Sequence, residues 1–409
     1  MLTPRRPRVC LDLTPNETID RYGGIGRYGY YLLERLLELP EVQNGAIELL
    51  ALPVSDEPVI SAEQALRREV LSRPPLAIEL HRNNRRRLSA IQLRRADVDL
   101  FHATHALALP RLLGCKLICT IYDLVPIVCP LPQTGYERFR EKLDWVARVA
   151  LADHLIAISE RTADDLMGEL KVRRSRVTTI YLGVDPLIFN TQGGDDARIS
   201  RKYDLPERGF LCVSSDHYRK NHRALFDAWC ERAAVLPEGL VFVGRALYGT
   251  TLREIEQVVR ERGLTARFRW LQEVTDDELP AIYRWARGTI APSLYEGFGM
   301  TLIESMACGT PLAVARNGAY EEVAGPAAEY FDARSPAQLA GCLTALSQDE
   351  QLHARLSRDG LERAKAFTWR GMAEATLAVY RKLLDASFGT RFPEPLSPRA
   401  ASEWARAGK

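Results

Sequence analysis

Short apolar, β-rich runs alternate with amphipathic stretches along most of this chain of 409 residues, and that alternation constrains the fold more than any other feature. Residues 8–13 (RVCLDL), 47–54, 99–103, 116–122, 154–158 and 177–181 read as strands. A second series follows at 210–214, 240–243, 267–271, 289–291, 312–315 and 329–331. Helical patterns lie between them, such as the one running to Leu39 with Leu32, Leu33, Leu36 and Leu37 at apolar positions. Strands that alternate with helices imply an α/β chain with doubly wound parallel sheets. The polar, turn-rich stretch Thr191–Asp196 (TQGGDD) separates the two series. The expectation is a Rossmann-like domain over 1–187, a linker over 188–207 and a second domain over 208–367. Two such halves imply a cleft, with ligands beyond the carboxyl ends of the strands. The stretch Trp369–Leu384 has a helical stripe at Met372, Thr376, Val379 and Leu383, and the proline-bearing tail over 389–409 is expected to be poorly ordered.

Composition narrows the class. Hydrophobic residues make up 46% and charged residues 26%, which excludes collagen-like, wholly disordered and disulfide-scaffold chains. The formal charge of +2 gives no global attraction to nucleic acid, although the basic side is lopsided: 8 Lys against 47 Arg. The eight Cys are scattered without a CxxC pair and read as reduced thiols. No run reaches the roughly 18 apolar residues of a membrane-spanning helix, and the apolar stretch at the N-terminus is too short for a signal peptide. A cytoplasmic protein is expected, with peripheral contact to the inner face of a membrane as the one extension.

The segment Ser293–Pro311 (SLYEGFGMTLIESMACGTP) carries the most chemical information. It follows a strand, turns at Gly297 and Gly299, and enters a helix around Thr301. Exposed backbone N–H groups and the helix dipole make such an N-terminus an anion site. Glu296 precedes the turn and Glu304 lies one turn inside the helix, so two carboxylates can accept from sugar hydroxyls while the amides between them face a phosphate. Gly23, Gly24 and Gly26 fall between the first strand and first helix, where glycines allow close approach to a diphosphate. The GxGxxG spacing fails there, so NAD binding is not expected. Arg219 and Lys220, an adjacent cationic pair, follow the strand that opens the second series.

Taken in order, these segments resemble glycosyltransferase family 4, retaining enzymes of the GT-B fold. The likeness rests on Ser293–Pro311, Gly318 and the run Tyr320 to Gly325. It also takes in the loop Gly23 to Tyr28, Phe101 to His105, Thr120 to Leu124, Ile158-Ser159-Glu160, Leu182 to Asp185 and Arg219-Lys220-Asn221. The resemblance implies an acceptor-side first domain, a second domain that binds a nucleoside-diphosphate sugar, and a C-terminal helix over 368–388 returning to the first domain. It implies that Glu304 holds ribose hydroxyls, that Glu296 holds sugar hydroxyls and that Arg219 and Lys220 neutralise the diphosphate. Gly23 and Gly24 would contact the donor from the first domain, and Gly297, Phe298, Gly299, Met300, Thr301 and Leu302 would line the donor site. Glu296, His105, Arg219 and Lys220 form the expected catalytic set. His102, His105 and Asp123 are candidates for the sugar or acceptor site, and either histidine could face the cleft. The family's basic residue at the end of the first strand of the second domain is absent: Ser214-Ser215 stand there, which shifts weight onto Arg219.

The implied reaction is hexose transfer, with mannose from GDP-mannose preferred, to a saccharide or lipid-linked acceptor. A UDP-hexose or dTDP-rhamnose donor, or a non-catalytic sugar-nucleotide-binding protein, is the alternative. No cofactor and no metal are expected: Asp97-Val98-Asp99 leads straight into a strand, and His and Cys show no zinc-ligand spacing. His81–Arg95 (HRNNRRRLSAIQLRR) carries six Arg and no acid, and its segment 82–95 is the candidate for contact with anionic lipid.

Overall fold

Each series of apolar runs forms one mainly parallel sheet. The computed structural model describes residues 5–13, 24–52, 60–61, 94–106, 114–129, 135–246 and 250–388. The expectations placed on Gly23, on the segment 81–93 and on the tail 389–409 lie outside the described residues.

The first sheet contains β1 (Arg8–Asp12), β2 (Glu48–Leu52), β3 (Ile60–Ser61), β4 (Leu100–Ala103), β5 (Lys116–Ile121), β6 (His154–Ala157) and β7 (Val177–Thr179) in the order β3-β2-β1-β4-β5-β6-β7. The pairings among β1, β2, β4 and β5 are parallel, Cys10 lying opposite Phe101 and Phe101 opposite Leu117, while β3 runs antiparallel to β2. The second sheet contains β8 (Gly209–Val213), β9 (Gly239–Val243), β10 (Phe268–Leu271), β11 (Gly288–Ala291), β12 (Leu312–Ala315) and β13 (Ala328–Phe331) in the order β10-β9-β8-β11-β12-β13. Its strands are parallel throughout. β9, β11 and β12 are buried at every position, which explains why they read as unbroken apolar runs rather than alternating ones. The core of this half gathers Phe210, Phe226, Trp229, Phe242 and Phe331, and the Trp229 indole N–H finds the Glu238 carbonyl at 3.0 Å.

The strand order of the second sheet reverses between β8 and β11, and in open sheets of this kind the loops at the carboxyl ends of the two strands flank the place where ligands bind. Arg219 and Lys220 lie on the loop after β8, and Glu296 on the loop after β11.

The described residues divide into two compact units. One comprises those of Met1–Thr120, Arg148–Ile156 and Arg370–Lys409; the other comprises those of Ile121–Ala147 and Ala157–Trp369. Residues 121–147 and 157–187, read from sequence as part of the first domain, thus group with the second sheet. The hydrogen bonds that Ser159, Glu160 and Thr162 make to Gly297 and Glu322 account for this grouping. In the first unit the last helix, Trp369–Phe388, brings Tyr380 to β4: its hydroxyl lies 2.6 Å from His102 Nδ1. Asp99 is taken up by Arg5 at 2.6 Å and by the Arg8 backbone N–H at 2.8 Å. No helix among the described residues is long and apolar enough to cross a membrane.

Candidate active site

The loop after β8 is built to place two cations. Tyr218–Lys220 forms one 3-10 turn, started by His217, whose ring nitrogen accepts from the Arg219 N–H at 3.3 Å. Asn221 closes it in the left-handed conformation, φ 58°, which asparagine tolerates better than most residues. Its side-chain amide donates to the Pro292 carbonyl at 3.2 Å and to the Ala333 carbonyl at 2.9 Å. The Leu294 N–H reaches the Arg219 carbonyl at 2.7 Å, so the loops after β8 and β11 are tied together. The Arg-Lys-Asn order therefore has a local cause: the Asn turns and anchors the chain that presents the Arg and the Lys.

Across from these cations stands Glu296. One of its oxygens, Oε1, lies 2.8 Å from Arg219 Nη1 and 2.5 Å from Lys220 Nζ, and the residue is only 7% exposed. Burial alone would push this carboxyl up; the charges of Lys220 and Arg219 outweigh it and hold it at about 2. Burial likewise opposes the charge on Arg219, and Glu296 reverses the balance and raises its pKa. Asp123 completes the group from the loop after β5. Burial pushes its carboxyl up, against the N–H of Val125 at 3.0 Å and the attraction of Arg219 and Lys220. Two carboxylates and two cations thus share one largely dry site, where charge interactions are stronger than in water.

The turn between Glu296 and the following helix leaves no room for side chains at two places. A Cβ at Gly297 would overlap the Tyr122 carbonyl and come 2.9 Å from Asp123 Cβ. Gly299 has φ 101°, and a Cβ there would meet the Tyr320 ring at 2.6 Å. The helix Met300–Ala307 starts at Gly299 without a side-chain cap; the Leu302 N–H bonds to the Gly299 carbonyl at 3.0 Å, and the N–H groups of Met300 and Thr301 stand at the helix end where an anion is favoured.

The other expected site residues have these positions and partners. Phe298 and Leu302 are buried, the former against Tyr181 and Phe367, so they reach a ligand through backbone atoms at most. Met300 and Thr301 are half-buried on the first turn of the helix. Glu304 is 2% exposed, and its Oε2 accepts from the Tyr283 hydroxyl at 2.9 Å. His102 is fully buried in the other unit, with Nε2 2.8 Å from Thr120 Oγ1, and burial lowers its pKa to about 3. Both of its ring nitrogens have hydroxyl partners, Tyr380 and Thr120. His105, beyond the end of β4, is half-buried, and Gly24 is the exposed first residue of the helix Gly24–Leu37. Sequence reasoning missed His217 and Asn221 as organisers of the cation loop, and Tyr295, whose hydroxyl donates to Asp165 at 2.6 Å. The Asn221 signal was present as the third member of Arg-Lys-Asn.

Two parallel sheets, each reversing strand order beside its first strand, define the GT-B fold. Sucrose-phosphate synthase from Thermosynechococcus elongatus superposes with a TM-score of 0.74 at 20% identity, over 93% of this chain and 100% of that one. Residues 195–363 match the family described as glycosyl transferases group 1, and residues 22–186 match glycosyltransferase family 4. The chain belongs to glycosyltransferase family 4 and is a transferase. It is 25% identical over 371 residues to the O-antigen chain mannosyltransferase B of Escherichia coli, a match covering 88% of this chain and 96% of that protein. It is 31% identical over 252 residues to the D-inositol 3-phosphate glycosyltransferase of Salinispora tropica, covering 57% of this chain but only 51% of that one.

Proposed function

We propose that this transferase moves mannose from GDP-mannose, with retention of configuration, to a saccharide or lipid-linked acceptor in surface polysaccharide synthesis. The observation that carries the reading is the pairing of Glu296 with Arg219 and Lys220 on the loops after β8 and β11, where the strand order reverses. The near end-to-end likeness to an O-antigen mannosyltransferase favours mannose.

In this reading the donor diphosphate takes over Arg219 and Lys220, and the N–H groups after Gly299 add a second set of donors. Glu296, released from its cations, accepts from hydroxyls of the transferred sugar. As the bond to the diphosphate breaks, negative charge grows on the leaving oxygen, where fixed cations act most strongly. The acceptor attacks from the face that the diphosphate leaves, and the leaving phosphate oxygen takes the acceptor proton. No carboxylate nucleophile is then required. Glu304 holds the ribose hydroxyls by exchanging the proton it now receives from Tyr283. His105 and Asp123 contribute to the sugar or acceptor side.

The test is a thermal-shift screen with GDP, UDP, dTDP and ADP, followed by transfer from the matching labelled sugar nucleotide. Stabilisation by GDP above the others, with transfer of mannose, supports the reading. Preferential stabilisation by UDP or dTDP moves the donor to a UDP-hexose or dTDP-rhamnose. Binding without transfer to any acceptor or to water identifies a sugar-nucleotide-binding protein instead.

A further inference from the structure

The donor turn is held from outside by a residue that neither carboxylate of the site explains. Ser159 stands at the start of the helix Glu160–Leu170, in the extended conformation of an N-cap, and its Oγ accepts from the Thr162 N–H at 3.0 Å. The same Oγ lies 2.5 Å from the Gly297 carbonyl. A hydroxyl has one proton to give and lone pairs to receive, so Ser159 can cap the helix and donate to Gly297 at once. Thr162 Oγ1 faces the Tyr122 carbonyl at 3.1 Å, and the shorter reach leaves the Gly297 oxygen to Ser159. The helix end is itself held: the Glu322 carboxylate accepts from the Glu160 N–H at 2.6 Å and from the Arg161 N–H at 3.1 Å.

We infer that Ser159 is a positioning residue for donor binding, acting through the Gly297–Phe298 peptide. A trans peptide points its carbonyl and its N–H in opposite directions, and no cis peptide bond occurs among the described residues. Fixing the Gly297 oxygen toward Ser159 therefore fixes the Phe298 N–H away from it. That sets the entry into Gly299 and the uncapped first turn of the helix Met300–Ala307. A side chain at position 297 cannot do this work, because the Tyr122 carbonyl and Asp123 occupy the space a Cβ needs. The Gly297 carbonyl is thus held mainly by the Ser159 hydroxyl, 138 residues away in sequence, with Thr162 Oγ1 at 3.3 Å as the longer second contact. The inference rests on the donor-binding reading above and adds to it a residue with no ligand contact of its own.

Three substitutions separate the two tasks of the hydroxyl. Ser159→Thr caps and donates; Ser159→Asp caps but has no proton to donate; Ser159→Ala does neither. Affinity is measured by calorimetry for whichever of GDP, UDP, dTDP and ADP stabilises the wild type most, together with KM and kcat for the corresponding sugar nucleotide. The expected result is wild-type affinity in Ser159→Thr. In both Ser159→Ala and Ser159→Asp the affinity weakens about tenfold, the loss of one good hydrogen bond, and KM rises more than kcat falls. Melting temperature should hold in Ser159→Thr, fall in Ser159→Ala and fall further in Ser159→Asp, whose buried carboxylate faces the Gly297 carbonyl. Restored affinity in Ser159→Asp, or unchanged affinity in Ser159→Ala, overturns the inference while leaving the donor reading intact. A wild type that binds none of the four diphosphates removes the donor reading, and this inference falls with it.

Discussion

The buried polar cluster around His102 and the one around Glu296 are built on opposite rules. Around His102, neutral groups close on each other: Tyr380 OH meets Nδ1, Thr120 Oγ1 meets Nε2, and Tyr28 OH lies 2.9 Å from the same threonine. Each polar group in that series has a neutral partner, and burial keeps the imidazole uncharged. Around Glu296, charges meet: one carboxylate oxygen serves both Arg219 and Lys220, with Asp123 close by. A closed neutral network rigidifies a core. Two cations converging on a single carboxylate oxygen form a site whose counter-ion an incoming anion can replace. Charge and its pairing thus distinguish the two clusters without reference to sequence motifs.

The largest expected effect breaks the first cluster with acid. The fold keeps His102 neutral down to about pH 3, whereas the unfolded chain binds a proton from the ordinary histidine value of 6.5 downward. The unfolded state therefore holds more protons in that window, and stability falls as pH drops from 6.5 toward 3. The slope is about 1.4 kcal/mol per pH unit for this one group. Urea unfolding from pH 7 to 4.5 should show that slope reduced by this amount in His102→Gln; an unchanged slope contradicts the neutral assignment. Next in size, Gly297→Ala should cost about 1–3 kcal/mol by overpacking against Tyr122 and Asp123, read as a lower melting temperature together with weakened donor binding. Tyr380→Phe should cost about 1 kcal/mol by removing one buried hydrogen bond, with transfer kinetics unchanged at a temperature where the variant is folded. The smallest expected change in nucleotide affinity is the most pointed. Glu296→Gln removes the counter-ion that the diphosphate must displace, so the free nucleoside diphosphate should bind equally well or a few-fold tighter while sugar transfer is lost.

Strand positions were legible to within one or two residues, because buried parallel strands announce themselves as apolar runs: 312–315 coincides with β12, and 210–214 differs from β8 by one residue at each end. The Arg219, Lys220 and Glu296 cluster was legible as well, since its members lie on loops after β8 and β11, the two strands between which the order reverses. The partners of Gly297 were not. Ser159 and Thr162 lie 138 and 135 residues away in sequence, and no periodicity encodes a contact between two turns. Nor does a motif reveal burial: Phe298 and Leu302 belong to the donor segment in sequence yet face the core, and Glu304 meets Tyr283 from a helix that no spacing rule links to it. Sequence favoured His105 over His102 only through the run that follows it, and could not reveal that the last helix supplies the Tyr380 hydroxyl to His102.

The central claim is that Glu296 with Arg219 and Lys220 forms the reacting end of a donor site. The most direct measurement is the initial rate of mannose transfer from labelled GDP-mannose by the wild type, Glu296→Ala and Lys220→Ala. The account predicts transfer by the wild type and losses of about 10²–10³ in both variants, the range for removing one group aimed at developing charge. Near-wild-type rates in both variants would contradict it.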